Sequence, residues 1–360
     1  NIGVGAGNLA TSGAVTASTK DVYAGYWNPA GLLNIGDDLQ IGYMHAEYFA
    51  GIFQYDYGAF ALPINKGKQA IGFSFMRFAT DNIPYTLDYV RPDGSFDDSK
   101  LRGFSAGDYA GIFHYAHKLG NQDTASTFKT NLGVNAKVIY RNVGTMANAW
   151  GFGLDIGLQS VYKERLRLGV TLKDITTTYT SWSFNFTEEE KRVFYSTGND
   201  VPIKSYETMM PRINIGVGYE LIPLTKKIKL YAEAGLDVTT DGKRNTLISS
   251  KPISIDPRLG VVASYKDVVY LRGGIGNFYT ALDNADTLNQ NKYLVFQPTM
   301  GVGFHVKTFT IDYAFTSLMM QDNPLMSHVF SLRINFNKGS KKQTDIIQPT
   351  QPSENGNTSL

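Results

Sequence analysis

Histidine is the side chain best suited to acid–base or metal chemistry near neutral pH, and this chain has five: His45, His114, His117, His305 and His328. They are scattered, and no HxxxH spacing aims two imidazoles at one ion. Each reads as a wall or interface residue rather than a ligand. No GxSxG elbow or P-loop occurs, and a serine–histidine site assembled from distant residues has no local support. The run Gly3-Val4-Gly5-Ala6-Gly7 lacks a preceding strand and a following helix, which argues against dinucleotide binding. The absence of cysteine excludes disulfides, thiolate metal sites and thiol nucleophiles. The chain is not read as an enzyme, and no metal or cofactor is expected.

Charge recurs instead at alternate positions. Asn131, Asn135, Lys137 and Arg141 fall on one side of a segment, followed by Asp155 and Gln159, then Arg165, Arg167 and Lys173. Arg212, Asn214 and Glu220 continue the pattern, as do Lys229, Glu233 and Asp237, and then Arg258 and Arg272. Facing a confined lumen, such mixed charges pair across strands and brace the wall, or they line a substrate track. Two further segments are adhesive. One, at 178–210, carries Tyr179, Trp182, Phe184, Phe186, Phe194 and Tyr195 around Glu188-Glu189-Glu190-Lys191-Arg192. The other carries Leu318, Met319, Met320, Leu325 and Met326. Exposed apolar groups of this kind contact a partner or pack together as a lid.

The elements that position these residues are strands. Trp150-Gly151-Phe152-Gly153-Leu154-Asp155-Ile156-Gly157-Leu158-Gln159 places a large apolar group at every second position, with small or polar residues between. Lipid accepts the first set and a narrow lumen the second. Hydrocarbon offers no partner to an open sheet edge, so one such strand implies a closed ring. Strands are expected at 38–48, 51–62, 69–78, 105–117, 128–142, 148–161, 165–177, 211–222, 227–239, 256–265, 268–278, 294–306, 308–317 and 327–336. This makes the fold an all-β, 14-stranded antiparallel transmembrane β-barrel.

Connections after the third, seventh, ninth, eleventh and thirteenth strands are long, and those after even strands mostly short. That parity expects long loops outside and both termini periplasmic, in the bacterial outer membrane. A propeller would need recurring motifs, which are absent, and a sandwich would not explain the parity.

Residues 1–36 are rich in Gly and Ala and end in Tyr26-Trp27-Asn28-Pro29-Ala30-Gly31-Leu32-Leu33, too apolar for a linker; a compact plug inside the lumen is expected. The barrel is expected over 37–336 and a disordered periplasmic tail over 337–360. The start at Asn1 leads us to expect a removed signal peptide.

Bulk properties agree. The chain is 42% hydrophobic with no run of about 18 apolar residues that could form a membrane helix. Its 22 Tyr and 21 Phe suit interfacial girdles, and a net charge of +2 argues against nucleic acid.

The segment Tyr26-Trp27-Asn28-Pro29-Ala30-Gly31-Leu32, after Ala14-Val15-Thr16-Ala17-Ser18 and Asp21, resembles the N-terminal hatch of FadL-type barrels, which take up long-chain fatty acids and other hydrophobic molecules. Within that superfamily it looks most like the PorV/PorQ group of Bacteroidota, accessory to the type IX protein secretion system. The resemblance implies a non-enzymatic barrel that docks on a large secretion translocon barrel and binds secreted cargo proteins through the loops at 178–210 and 318–326. Asn28, Pro29, Ala30 and Gly31 would hold the plug. The alternative is a FadL-type uptake channel holding a bound lipid or detergent. Continuous charge bracing around a plug favours docking; an apolar tunnel favours transport.

Overall fold

The computed structural model describes residues 2–36, 38–86, 89, 95–120, 127–225, 227–282, 292–317 and 326–336. Its strands are β1 (Leu39–Tyr48), β2 (Phe53–Ile64), β3 (Gln69–Tyr85), β4 (Arg102–Leu119), β5 (Phe128–Val143), β6 (Ala147–Tyr162), β7 (Leu166–Lys173), β8 (Thr178–Phe184) and β9 (Lys204–Met209). They continue with β10 (Arg212–Thr225), β11 (Ile228–Thr239), β12 (Ile248–Ser249), β13 (Ser254–Tyr265), β14 (Val269–Leu282), β15 (Lys292–Val306), β16 (Phe309–Ser317) and β17 (Met326–Phe336). All pairings are antiparallel, and β17 returns to β1 from Leu39↔Phe336 to Glu47↔His328, which closes the ring. β7 with β8, and β10 with β9, make two broken staves, and β12 lies on the rim. Among the described residues the ring therefore has fourteen staves.

The alternation works as the sequence demands. On β6, Trp150 and Phe152 point outward, 53% and 62% exposed, while Ala149, Gly151, Asp155 and Gln159 are buried on the inner face. The strands run longer than their alternation suggests. β3 has 17 residues and β4 has 18, well beyond the roughly ten that a membrane strand needs. Ladder pairing continues to Tyr85↔Arg102, beyond the stretch the sequence suggests, across a register shift between Thr80 and Ile83 that breaks the two-residue period.

One irregularity sits in the seventh stave, where the sequence suggests a continuous strand to residue 177. β7 ends at Lys173, and Asp174 and Thr177 adopt φ of 55° and 57° before β8 resumes. β7 pairs with β10 and β8 with β9, while Ile175 N–H donates to Leu154 O at 3.0 Å and keeps the wall stitched. Above the break, helix α1 (Glu188–Ser196) is capped by Thr187 and Glu190, whose side chains bond each other's backbone amides.

The outward face should tolerate charge poorly. Leu154→Arg is expected to cost about 2–4 kcal/mol, measured by denaturant titration of the barrel refolded into lipid vesicles.

Candidate functional site

The N-terminal segment lies inside the ring and touches it on many sides. Asn28 is fully buried in extended backbone (φ −156°, ψ 104°). Its amide Nδ2 donates to Thr16 O and to Leu158 O, each at 2.9 Å, while its Oδ1 accepts from Ala30 N at 3.2 Å. Pro29 then opens a 3₁₀ turn, Pro29–Asn34, where its missing N–H costs nothing. One asparagine thus ties the segment to itself, to the barrel wall and to the following turn.

The wall makes room for this backbone. Gly133 on β5 faces Gly157 on β6, and Gly169 on β7 faces Gly216 on β10. A Cβ on Gly157 would lie 2.9 Å from Pro29 Cδ, and one on Gly216 would lie 2.9 Å from Ala17 N. Cβ atoms at Gly133 and Gly169 would run into the backbone of Pro29–Ala30 and of Thr16. Polar side chains complete the seat. Glu233 accepts from Ala17 N at 2.7 Å, Gln159 donates to Thr16 O and Thr19 O at 3.1 Å, and Thr171 donates to Trp27 O at 3.2 Å. Arg333 pairs with Asp21 at 2.6 Å.

Many of the alternating charges are paired. Lys137 Nζ bonds Asp155 at 2.7 Å and also Asp174, whose own N–H donates to Asp155 at 2.9 Å. Arg212 and Arg258 share Asp237 at 3.2 and 2.9 Å, and Arg272 meets Asp312 at 2.7 Å. Reading the sequence missed Asp174 as a partner, although two charges in succession, Lys173-Asp174, already break a two-residue alternation. It also missed a relay across three strands. Ser74 Oγ sits 2.9 Å from His114 Nε2, His114 Nδ1 sits 2.7 Å from Asn135 Oδ1, and Asn135 Nδ2 donates to Gly25 O at 2.9 Å. The order matches a Ser–His–Asn nucleophile relay. Yet Ser74 is fully buried, and Asn135 Nδ2, which also donates to Asp155 at 3.0 Å, ties the chain of bonds to the N-terminal segment, so it acts as a pin.

Among the described residues, three cavities adjoin the segment. Toward the short turns lies one of about 330 Å³ lined by Lys20, Arg167, Lys229, Arg272 and Arg333. Toward the long loops lies a polar one of about 210 Å³ beside Arg212, Asp237 and Arg258. The third, about 300 Å³, is mainly apolar, with Ile2, Tyr26, Tyr55, Met76, Phe78, Ile112, Ile139 and Met209 in its wall. Lys173 and Tyr26 belong to both of the last two. The Lys173 ammonium lies 4.2 Å over the Tyr26 ring and 5.7 Å from that of Trp27. Burial pushes the Tyr26 phenol up to about 12, so it stays a neutral donor, and it bonds Ile2 O at 2.9 Å.

The aromatic candidates at 178–210 are only partly a loop, because β8 and β9 occupy both ends of that range. Trp182 faces inward, 9% exposed, with the Arg141 guanidinium 5.0 Å over its ring. Phe184 stacks between Trp182 and Phe186, and Phe186 meets Phe194 edge-on at 4.9 Å. These rings pack on one another, as in a lid, and Tyr195 remains 67% exposed. Leu318, Met319, Met320 and Leu325, the Met326 side chain, and the expected tail 337–360 lie outside the described residues.

No family model matches the chain, and no curated protein matches its sequence. Solved structures do match. The toluene transporter TbuX of Ralstonia pickettii is 14% identical with a TM-score of 0.53, over 93% of this chain and 99% of that one. The CymD monoaromatic hydrocarbon channel is 12% identical with a TM-score of 0.54, covering 93% and 97%. A Pseudomonas aeruginosa FadL homologue is 11% identical with a TM-score of 0.51, covering 93% and 98%. The molecule is thus a closed fourteen-stranded antiparallel β-barrel with the fold of FadL-type transport barrels.

Two substitutions probe the seat. Gly169→Val should displace the N-terminal segment and raise solute leakage several-fold in liposome-swelling assays. Gly58→Ala, which meets nothing within 4 Å, should leave leakage unchanged. Asp237→Ala removes the carboxylate that Arg212 and Arg258 share and should cost about 3 kcal/mol in denaturant titration.

Proposed function

We propose that the protein is an outer-membrane uptake channel for small hydrophobic compounds, with the N-terminal segment as its plug and both termini in the periplasm. The apolar cavity on the long-loop side carries this reading. At about 300 Å³ it is at the lower end of small-molecule sites, and aliphatic and aromatic side chains dominate its wall. The solved barrels of the same fold named above include a toluene transporter and a monoaromatic hydrocarbon channel, compounds of a size this cavity suits. A longer alkyl chain, as in a fatty acid, would extend past Lys173 toward the neighbouring polar cavity.

A second reading, an accessory barrel of a type IX secretion translocon, draws support from the charge bracing around the segment and from the Asn28 motif. It requires that affinity purification in mild detergent retrieve a much larger barrel or secreted cargo.

Transport is tested with the purified barrel in proteoliposomes. Wild-type protein should accelerate toluene entry, and Met76→Glu or Ile112→Asp should cut that rate at least tenfold while heat-dependent gel mobility stays that of a folded barrel. Unchanged uptake in both variants, or none with wild type, would reject the channel.

A further inference from the structure

The outer wall is not uniformly fit for lipid. On β6 the outward positions are Trp150, Phe152, Leu154, Ile156 and Leu158, and on β11 they are Leu230, Ala232, Ala234, Leu236 and Val238. On β1–β3 the pattern fails. Met44, Ala46, Tyr48, Tyr55 and Tyr57 are buried on the inner face, which sends His45, Glu47 and Asp56 outward, and Arg77 follows on β3.

These groups form one network. Asp56 Oδ1 accepts from Tyr43 at 2.7 Å and lies 2.8 Å from His45 Nδ1. Arg77 reaches Asp56 at 3.5 Å and Asp81 at 3.7 Å, and Glu47 lies 3.8 Å from His45. They remain open to the outside, with 63% of the Glu47 side chain and 42% of the Asp81 side chain exposed.

Their depth is the difficulty. Tilted strands climb about 2.5 Å per residue along the membrane normal, which puts His45 and Asp56 about 15–20 Å above the short-turn ends of β1 and β2, inside an apolar band about 25 Å tall. Ionisable side chains at that depth are costly against lipid and call for a polar partner. Charge selects among partners. Three carboxylates, Glu47, Asp56 and Asp81, outnumber one guanidinium, Arg77, and one imidazole, His45, so the patch is net negative whichever form the imidazole takes. A phosphorylated lipid headgroup would meet repulsion, and so would a second copy of this wall placed on its own acidic patch by two-fold symmetry.

We propose that the outer wall of β1–β3 docks sideways, within the membrane, onto a different integral membrane protein that presents lysine or arginine at the same depth. This interface is separate from the lumen and independent of what the barrel carries.

The test uses the full chain in its native outer membrane. A benzophenone amino acid is placed at Phe75, an outward-facing residue of β3 two positions from Arg77, and in a second variant at Leu236, at similar depth on the far wall. On irradiation the Phe75 probe should give a discrete protein adduct whose cross-linked peptide carries a lysine or arginine, and the Leu236 probe should give lipid adducts alone. Adding Glu47→Gln, the most exposed carboxylate of the three, should lower the Phe75 adduct at least fivefold without altering barrel gel mobility. Asp81→Asn provides a second neutralisation. Lipid adducts alone at Phe75, an adduct with the mass of a second copy, or an adduct indifferent to both neutralisations would each overturn the proposal.

Discussion

Hydrocarbon supplies no hydrogen-bond partner, so every backbone amide that crosses a bilayer must be satisfied by the protein. In this chain that requirement is met by the ladder between β1 and β17, which joins the two ends of the barrel sequence from Leu39↔Phe336 upward. Without that closure the sheet would carry two open edges in lipid. With it, each strand has one face fixed outward and one inward, and the inner faces of fourteen staves enclose a space that must itself be filled. The N-terminal segment fills its middle, and that is why small residues recur where its backbone passes. Gly133, Gly157, Gly169 and Gly216 are the lumen's counterpart of Leu154 and Phe152 on the outside: each is the residue its surroundings can accept.

The lumen is divided chemically as well as sterically. On the β1–β4 side, Tyr48, Tyr55, Tyr57, Met44, Met76 and Phe78 pack with Tyr23 and Trp27 of the segment into an apolar cluster. On the β5–β16 side, acids and bases are bonded in chains through Asp155, Asp237 and Asp312. The apolar cavity lies where the two regimes meet, with Lys173 at its edge over aromatic faces. A hydrophobic guest there would be held by the first side and oriented against the second. The same polarity asymmetry shows on the outside, where the acidic network of β1–β3 stands against apolar walls elsewhere.

Stave number and the outward residues of β6 were legible in the sequence because a membrane strand obeys a strict period of two, and Trp150 through Leu158 has no other use for it. Residues 178–184 and 204–209 were read as loop because, above the bilayer, no lipid enforces the period, and Trp182 faces inward beside polar neighbours. The charged inward positions were legible, but their partners were not. Lys137 finds Asp174 only because the seventh stave breaks at 174–177, and Ser74, His114 and Asn135 meet only through adjacent registers of β3, β4 and β5. The outward charges of β1–β3 were visible as letters, but nothing local says on which face of the wall His45, Asp56 and Arg77 stand.

What the sequence determined by itself was therefore everything set by strict local alternation: that the chain is a barrel, how many staves it has, and, along a stretch such as Trp150 to Leu158, which residues a stave turns to lipid. What only the tertiary structure decided was everything set by contacts distant along the chain. These include the seating of Asn28 against Leu158 130 residues later, the pairing of charges, the cavity between Ile2 and Met209, and the acidic patch outside. Periodicity is a property of neighbours in sequence, whereas a site is a property of neighbours in space, and ring closure is what brings the second kind together.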